Sequence, residues 1–122
     1  MLTFLLQMDI IFKTEKLRKT CNNDRLRQKE YGLVRAKKIK RWLDDIQAAS
    51  VLEELRYLPG RCHELTGDRK GELAVDLDHP ARLIFRVADD PSPLKEDGGL
   101  DWNNVTAIEI TEIVDDYHGK KN

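Results

Sequence analysis

The chain has 122 residues, 40% hydrophobic and 35% charged, with a net charge of −1 at pH 7. That length fits one domain around one core, and a single domain rather than repeated splitting is expected. A near-zero net charge excludes a global positive field for nucleic acid, so an anion site would have to come from local clustering. Cations do dominate residues 13–41, and carboxylates are rich in residues 72–116. Charge alone reads as two solvated helix faces, with a basic face beside an acidic one as the alternative.

The apolar start, residues 1–12, is too short to span a bilayer and is interrupted by Gln7 and Asp9. It also lacks the basic flank and small-residue cleavage site of a secretory signal. Residues 8–13 are expected to form a buried first strand, with residues 1–7 as an extension and Met8 as a candidate start. Thr14 can cap a helix running from Glu15 to about Lys29, with Leu17 and Leu26 facing inward. The Cys21-Asn22-Asn23-Asp24 cluster is poor helix material and is expected to break it.

After Gly32, the residues Ala36, Ile39, Trp42, Leu43, Ile46 and Ala49 recur at three- and four-residue steps, one apolar stripe on a basic helix. Ser50 and Glu53 match a capping box that restarts a short helix through Arg56, and Pro59-Gly60 ends the helical half. The remainder alternates with period two. Leu73, Val75 and Leu77 oppose Glu72, Ala74 and Asp76; Leu83, Phe85 and Val87 oppose Arg82, Ile84 and Arg86. Residues 67–71 and His79-Pro80 read as turns, residues 89–99 as a long exposed hairpin loop, and residues 105–114 as the last strand. The expected fold is α+β: an N-terminal strand and a helical pair on one face of an antiparallel sheet. Cys21 and Cys62 are too few and too far apart for a zinc pattern or a disulfide framework. They read as free thiols in a reducing cytosol.

Several residue types suit work on a phosphodiester. Arg82 and Arg86 are cations in a strand whose other face seeks the core, so both should emerge on an open, concave sheet face. A guanidinium offers planar bidentate donors to phosphate there. Pairing of these arginines with Glu109 or Asp76 across the sheet is the competing reading. His63 precedes the basic turn that carries Arg69 and Lys70, and the last strand delivers Asp116, Tyr117 and His118. RNA cleavage without metal needs a base for the 2′-hydroxyl, an acid for the leaving 5′-oxygen, and cations around the phosphorane. Histidine suits either proton transfer at pH 7. Tyr117 could stack on a base or orient the phosphate, and Asp116 could fix a histidine tautomer. No carboxylate–histidine cluster has metal spacing, so a metal-independent site without cofactor is expected. His79 is assigned no role.

The segment R-C-H-E-L-T-G-D-R-K-G, the strand A-R-L-I-F and the ending I-V-D-D-Y-H-G resemble the HigB-type branch of the RelE/ParE toxin superfamily, across residues 8–119. The resemblance implies a ribosome-dependent mRNA interferase, the toxin of a bacterial type II toxin–antitoxin module. His63, Asp116, Tyr117 and His118 would be its catalytic residues, and Arg82 the arginine of the following strand. The implied partners are the ribosome, mRNA and a HigA-type helix-turn-helix antitoxin, with operator DNA bound only through the antitoxin complex. The implied location is the cytoplasm, without membrane attachment. Three features depart from the pattern. Thr66 stands where a lysine is common, so Arg69 or Lys70 would have to substitute; Ala81 stands where an aromatic residue is common; and the net charge is not basic. A ParE-like gyrase poison without chemistry, or a nuclease-weak binding and autoregulatory member, are the alternatives.

Overall fold

The Thr14 hydroxyl accepts a hydrogen bond from the Leu17 backbone and opens helix α1 (Glu15–Cys21), in a computed structural model that describes residues 7–115. The polar cluster after Cys21 does interrupt the helix. Asn23 then caps α2 (Asp24–Tyr31) by accepting from the Leu26 backbone. The break resets the helical phase, so Leu26 is 40% exposed rather than inward, and Arg27 is the buried residue of α2. Its guanidinium is held in place by the Cys21 carbonyl, an orphan acceptor at the end of α1, at 2.6 Å, and by Asp24.

Helix α3 (Leu33–Ala48) buries Ala36, Ile39, Trp42 and Ile46, the expected stripe. The turn that follows is a 3-10 helix, Leu52–Tyr57, and its reaching carboxylate is Glu54, not Glu53. Glu54 Oε2 accepts from the Ser50 and Val51 backbones at 3.0 and 3.2 Å, while Glu53 pairs with Arg56.

Five strands follow the order β1 (Asp9–Phe12), β5 (Ala107–Val114), β4 (Arg82–Val87), β3 (Glu72–Asp76), β2 (His63–Glu64). All neighbours are antiparallel except β1, which runs parallel to β5. β1 is thus an edge strand with one buried face. Ile10 and Phe12 pack on the core, while Ile11 is exposed, so the expectation of a buried first strand is corrected to burial of one face only. Ile39, Trp42 and Ile46 meet Leu73, Val75, Leu83, Phe85, Ile108 and Ile110 in one apolar cluster, placing the helices on one sheet face. Each such fully buried side chain stabilises the fold by about 1.5–3 kcal/mol relative to exposure.

The connection from β4 to β5 is less open than its prolines and glycines suggest. Leu94 pairs with Leu100, and Trp102 is buried in a 3-10 turn (Trp102–Asn104). The Trp102 indole N–H donates to Glu64 at 2.9 Å, and the Arg56 guanidinium lies 3.9 Å from the ring centroid.

Candidate active site on the open sheet face

Cross-strand partners point to the same side of a sheet, so the register assigns the face that the helices leave open. One row holds Glu72, Arg86 and Glu109; the next holds His63, Ala74, Ile84 and Glu112; the third holds Asp76, Arg82 and Val114. Ala74, Ile84 and Val114 form a small apolar patch with Leu65, separate from the main core. Glu112 and Val114 reach this face only because β5 bulges. Ile110 pairs with Phe85 and Glu112 with Ile84, leaving Thr111 over, and its hydroxyl donates to the Ile84 carbonyl at 3.1 Å.

His63 is half-buried in the middle row. Its Nδ1 lies 2.6 Å from the Arg61 carbonyl oxygen. A carbonyl only accepts, so Nδ1 carries the proton and the neutral ring keeps its lone pair on Nε2. The imidazole is therefore preset as a proton acceptor through Nε2.

The cations gather at the other side of the face. A hollow of about 360 Å³ is lined by Lys13, Lys70, Glu72, Arg86, Thr111 and Glu112. Arg69 is held between Glu72, at 2.7 Å, and Glu112, at 2.8 Å, and these two carboxylates raise its pKa further, Glu112 the more. Arg86 pairs with Glu109, as the competing reading of the sequence anticipated. Lys70 thus lines the hollow, whereas Arg69 is neutralised locally. His63 stands three inter-strand steps from Glu112, roughly 14 Å at about 4.8 Å per step.

Arg82 is on the open face as expected but is only 9% exposed, so it is not part of an open surface. It sits opposite Asp76 and Val114, at the end of the sheet where β5 delivers Asp115. Asp116, Tyr117 and His118 lie outside the described residues.

The fold is similar to that of a solved structure, the YoeB dimer from Staphylococcus aureus, with a TM-score of 0.51 over 87% of this chain and 93% of that one. The fold is RelE/YoeB-like. Sequence identity to that YoeB is 18%, so the likeness is one of fold. No protein-family model matches the chain, and no curated protein sequence does.

Within this YoeB-like fold, two residues near the face carry no sequence signal of their importance. Arg35, on α3, donates to Asp78 at 2.9 and 3.2 Å and also pairs with Asp115, so it ties the helix to the β3–β4 turn and to the end of β5. Burial is the largest influence on the Asp78 carboxyl and raises its pKa. The Arg35 hydrogen bonds, a backbone hydrogen bond and the charges of Arg35 and Lys38 together outweigh it and hold the group below its usual range. Arg61 contributes the carbonyl that orients His63 and pairs its Nε with Asp76 at 2.7 Å. Their partners are 43, 80 and 15 residues away in sequence, beyond the reach of local patterning. Cys21 and Cys62 are free and buried, and desolvation pushes their thiols up to about 11 and about 12, so neither is a nucleophile at neutral pH.

Proposed function

We propose that the protein is the toxin of a toxin–antitoxin pair, an mRNA interferase of the RelE superfamily and of its HigB type, acting as a single toxin domain. The observation that carries the reading is His63. On a RelE/YoeB-like sheet, its ring is locked by the Arg61 carbonyl with Nε2 left as a proton acceptor. The expected partners are the ribosome, its bound message and a HigA-type antitoxin, in the cytoplasm. Among the described residues no helix is long and apolar enough to cross a membrane.

In this mechanism His63 Nε2 takes the 2′-hydroxyl proton. The 2′-oxygen then attacks phosphorus, and the P–O5′ bond breaks as a second acid protonates the 5′-oxygen. The products are a 2′,3′-cyclic phosphate and a free 5′-hydroxyl. Tyr117 and His118 are the candidates for the acid and for phosphate orientation. Asp116 supports them electrostatically, since the Arg61 carbonyl already sets the His63 tautomer. Arg82 is the candidate cation for the phosphorane. Lys70, across the face from His63, is left to hold a neighbouring phosphate of the message, Arg86 is already paired with Glu109, and Arg69 stiffens the turn that carries Lys70.

Cleavage of ribosome-bound message, mapped by primer extension, tests the assignment. His63→Ala should lower the rate by about 10²–10⁴-fold with an unchanged circular dichroism spectrum. Tyr117→Ala, or deletion after Val114, should relieve growth arrest as well. Arg82→Ala should weaken cleavage without moving its pH profile. Undiminished cleavage in His63→Ala would remove the base from this site. Inhibited supercoiling with intact messages would identify a gyrase poison instead.

A further inference from the structure

A second hollow, of about 570 Å³, lies between α3 and the segment that leads into β2. Its floor is Trp42 and Leu77, and its rim carries Lys37, Lys38 and Arg41 on one side and Arg61 on the other. Lys37 and Arg41 are one helical turn apart, and Lys38 is three residues from Arg41, so the three cations share one side of α3. Two carboxylates also line the space. Asp76 is held by Arg61 at 2.7 Å, and Asp45 lies 3.9 Å from Arg41. Four cations against two carboxylates leave the hollow positive, and Lys37 and Lys38 form no ion pair among the described residues. A chain with a net charge of −1 has concentrated positive charge here.

The hollow borders the open sheet face through Arg61 and Asp76. Asp76 is the register partner of Arg82, and Arg61 is the residue whose carbonyl orients His63. A further recess of about 350 Å³ shares Arg61, Asp76 and Leu77 and is lined beyond them by His79 and Pro80. Arg61 thus stands between His63 and the α3 hollow, so a polyanion bound at His63 lies beside that hollow.

We propose that this hollow is a second RNA subsite, one that holds backbone phosphates of the single strand flanking the cleaved bond. Lys37, Lys38 and Arg41 meet phosphate oxygens, while Leu77 and the edge of Trp42 face the sugar and base. The proposal rests on the nuclease reading above for the direction of the strand, but its binding chemistry does not depend on cleavage. Placement of the cations on one rim and of apolar surface on the floor matches a nucleotide, which is charged on one side and flat and apolar on the other.

The test uses the full chain carrying His63→Ala, so that binding is read without cleavage, and a fluorescent twelve-nucleotide oligouridylate as the probe. Adding Lys37→Gln, Lys38→Gln and Arg41→Gln should weaken binding by at least about tenfold at moderate salt. The slope of log affinity against log salt should shrink by about 2, as expected for three lost contacts to a single strand. Lys37→Arg with Lys38→Arg should retain both affinity and slope, since the charge is kept. Unchanged affinity and slope in the glutamine variant would overturn the subsite. Displacement of the RNA by a polyglutamate peptide of equal charge and at equal concentration would overturn it too, marking the hollow as a dock for an acidic protein segment. Cleavage is scored separately in chains with His63 intact. Cleavage that needs His63 alongside unaltered binding by the glutamine variant retires only the subsite. Lost binding alongside cleavage indifferent to His63 retires only the active-site assignment.

Discussion

At the scale of one residue, the tightest steric demand is at Gly60. Its φ of +112° lies in a region that side chains rarely adopt, and a Cβ there would stand 2.3 Å from the Trp42 ring. Gly60→Ala is expected to destabilise the fold by about 1–3 kcal/mol through strain and overpacking. It should also open the Trp42 floor of the α3 hollow. An unaltered thermal midpoint would mean that the turn and the indole can separate freely. The sequence already marked Pro59-Gly60 as the end of the helical half, because that dipeptide stops a helix by its own chemistry. It did not disclose that glycine is also required by an indole 18 positions earlier. His63 shows the same division. Its type and its place before a basic turn were legible, whereas its tautomer is set by a backbone carbonyl that only the folded chain brings to 2.6 Å.

At the scale of the element, β5 depends on a carboxylate from the opposite end of the loop before it. Asp89 accepts from the Thr106 hydroxyl at 2.7 Å and from the Thr106 and Ala107 backbones at 3.1 and 3.0 Å, so it fixes the start of the strand. Burial alone would raise its pKa, but these hydrogen bonds outweigh burial and lower it. A depressed carboxyl contributes stability that is fully present above the unfolded value, about 3.9, and lost as pH falls through the lower folded value. Asp89→Asn should therefore destabilise the protein by about 1–3 kcal/mol at pH 7 and make stability fall less steeply below about pH 4. Urea midpoints at pH 7 and pH 3 measure both effects. An equal loss at the two pH values would show that the charge of Asp89 is not what holds β5. The alternation of β3 and β4 was readable directly, because each exposes one face to the helices. β5 was readable only in part: strict alternation beyond Ile110 would send Glu112 to the core, and the Thr111 bulge reverses it.

At the scale of the whole molecule, Arg35 joins three parts of the chain that meet nowhere else in sequence: α3, the β3–β4 turn and the end of β5. Its side chain is mostly covered, so the Asp78 pair is shielded from solvent more than a surface ion pair is. Arg35→Met is expected to cost about 1–3 kcal/mol, much of it from leaving Asp78 without its donor. A double-mutant cycle with Asp78→Asn should show positive coupling between the two sites. Coupling near zero would reduce Arg35 to a surface charge. The same variant should reduce cleavage if the stretch after Asp115 works beside Arg82, because Arg35 sets where that stretch departs.

The sequence by itself determined the elements: the Thr14 cap, the break after Cys21, the α3 stripe, the β3 and β4 alternation and the α+β class. Each of these rests on residues within a few positions of one another, where periods of 3.6 and 2 and the chemistry of caps operate. Tertiary structure alone decided the parallel pairing of β1 with β5, the bulge that brings Glu112 to the open face, and the burial of Arg82. It also decided which carboxylates neutralise Arg69 and Arg86 and which cations stay available around the two hollows. Strand register and charge pairing depend on segments tens of residues apart, and no local pattern specifies which of many acidic partners a given arginine will meet.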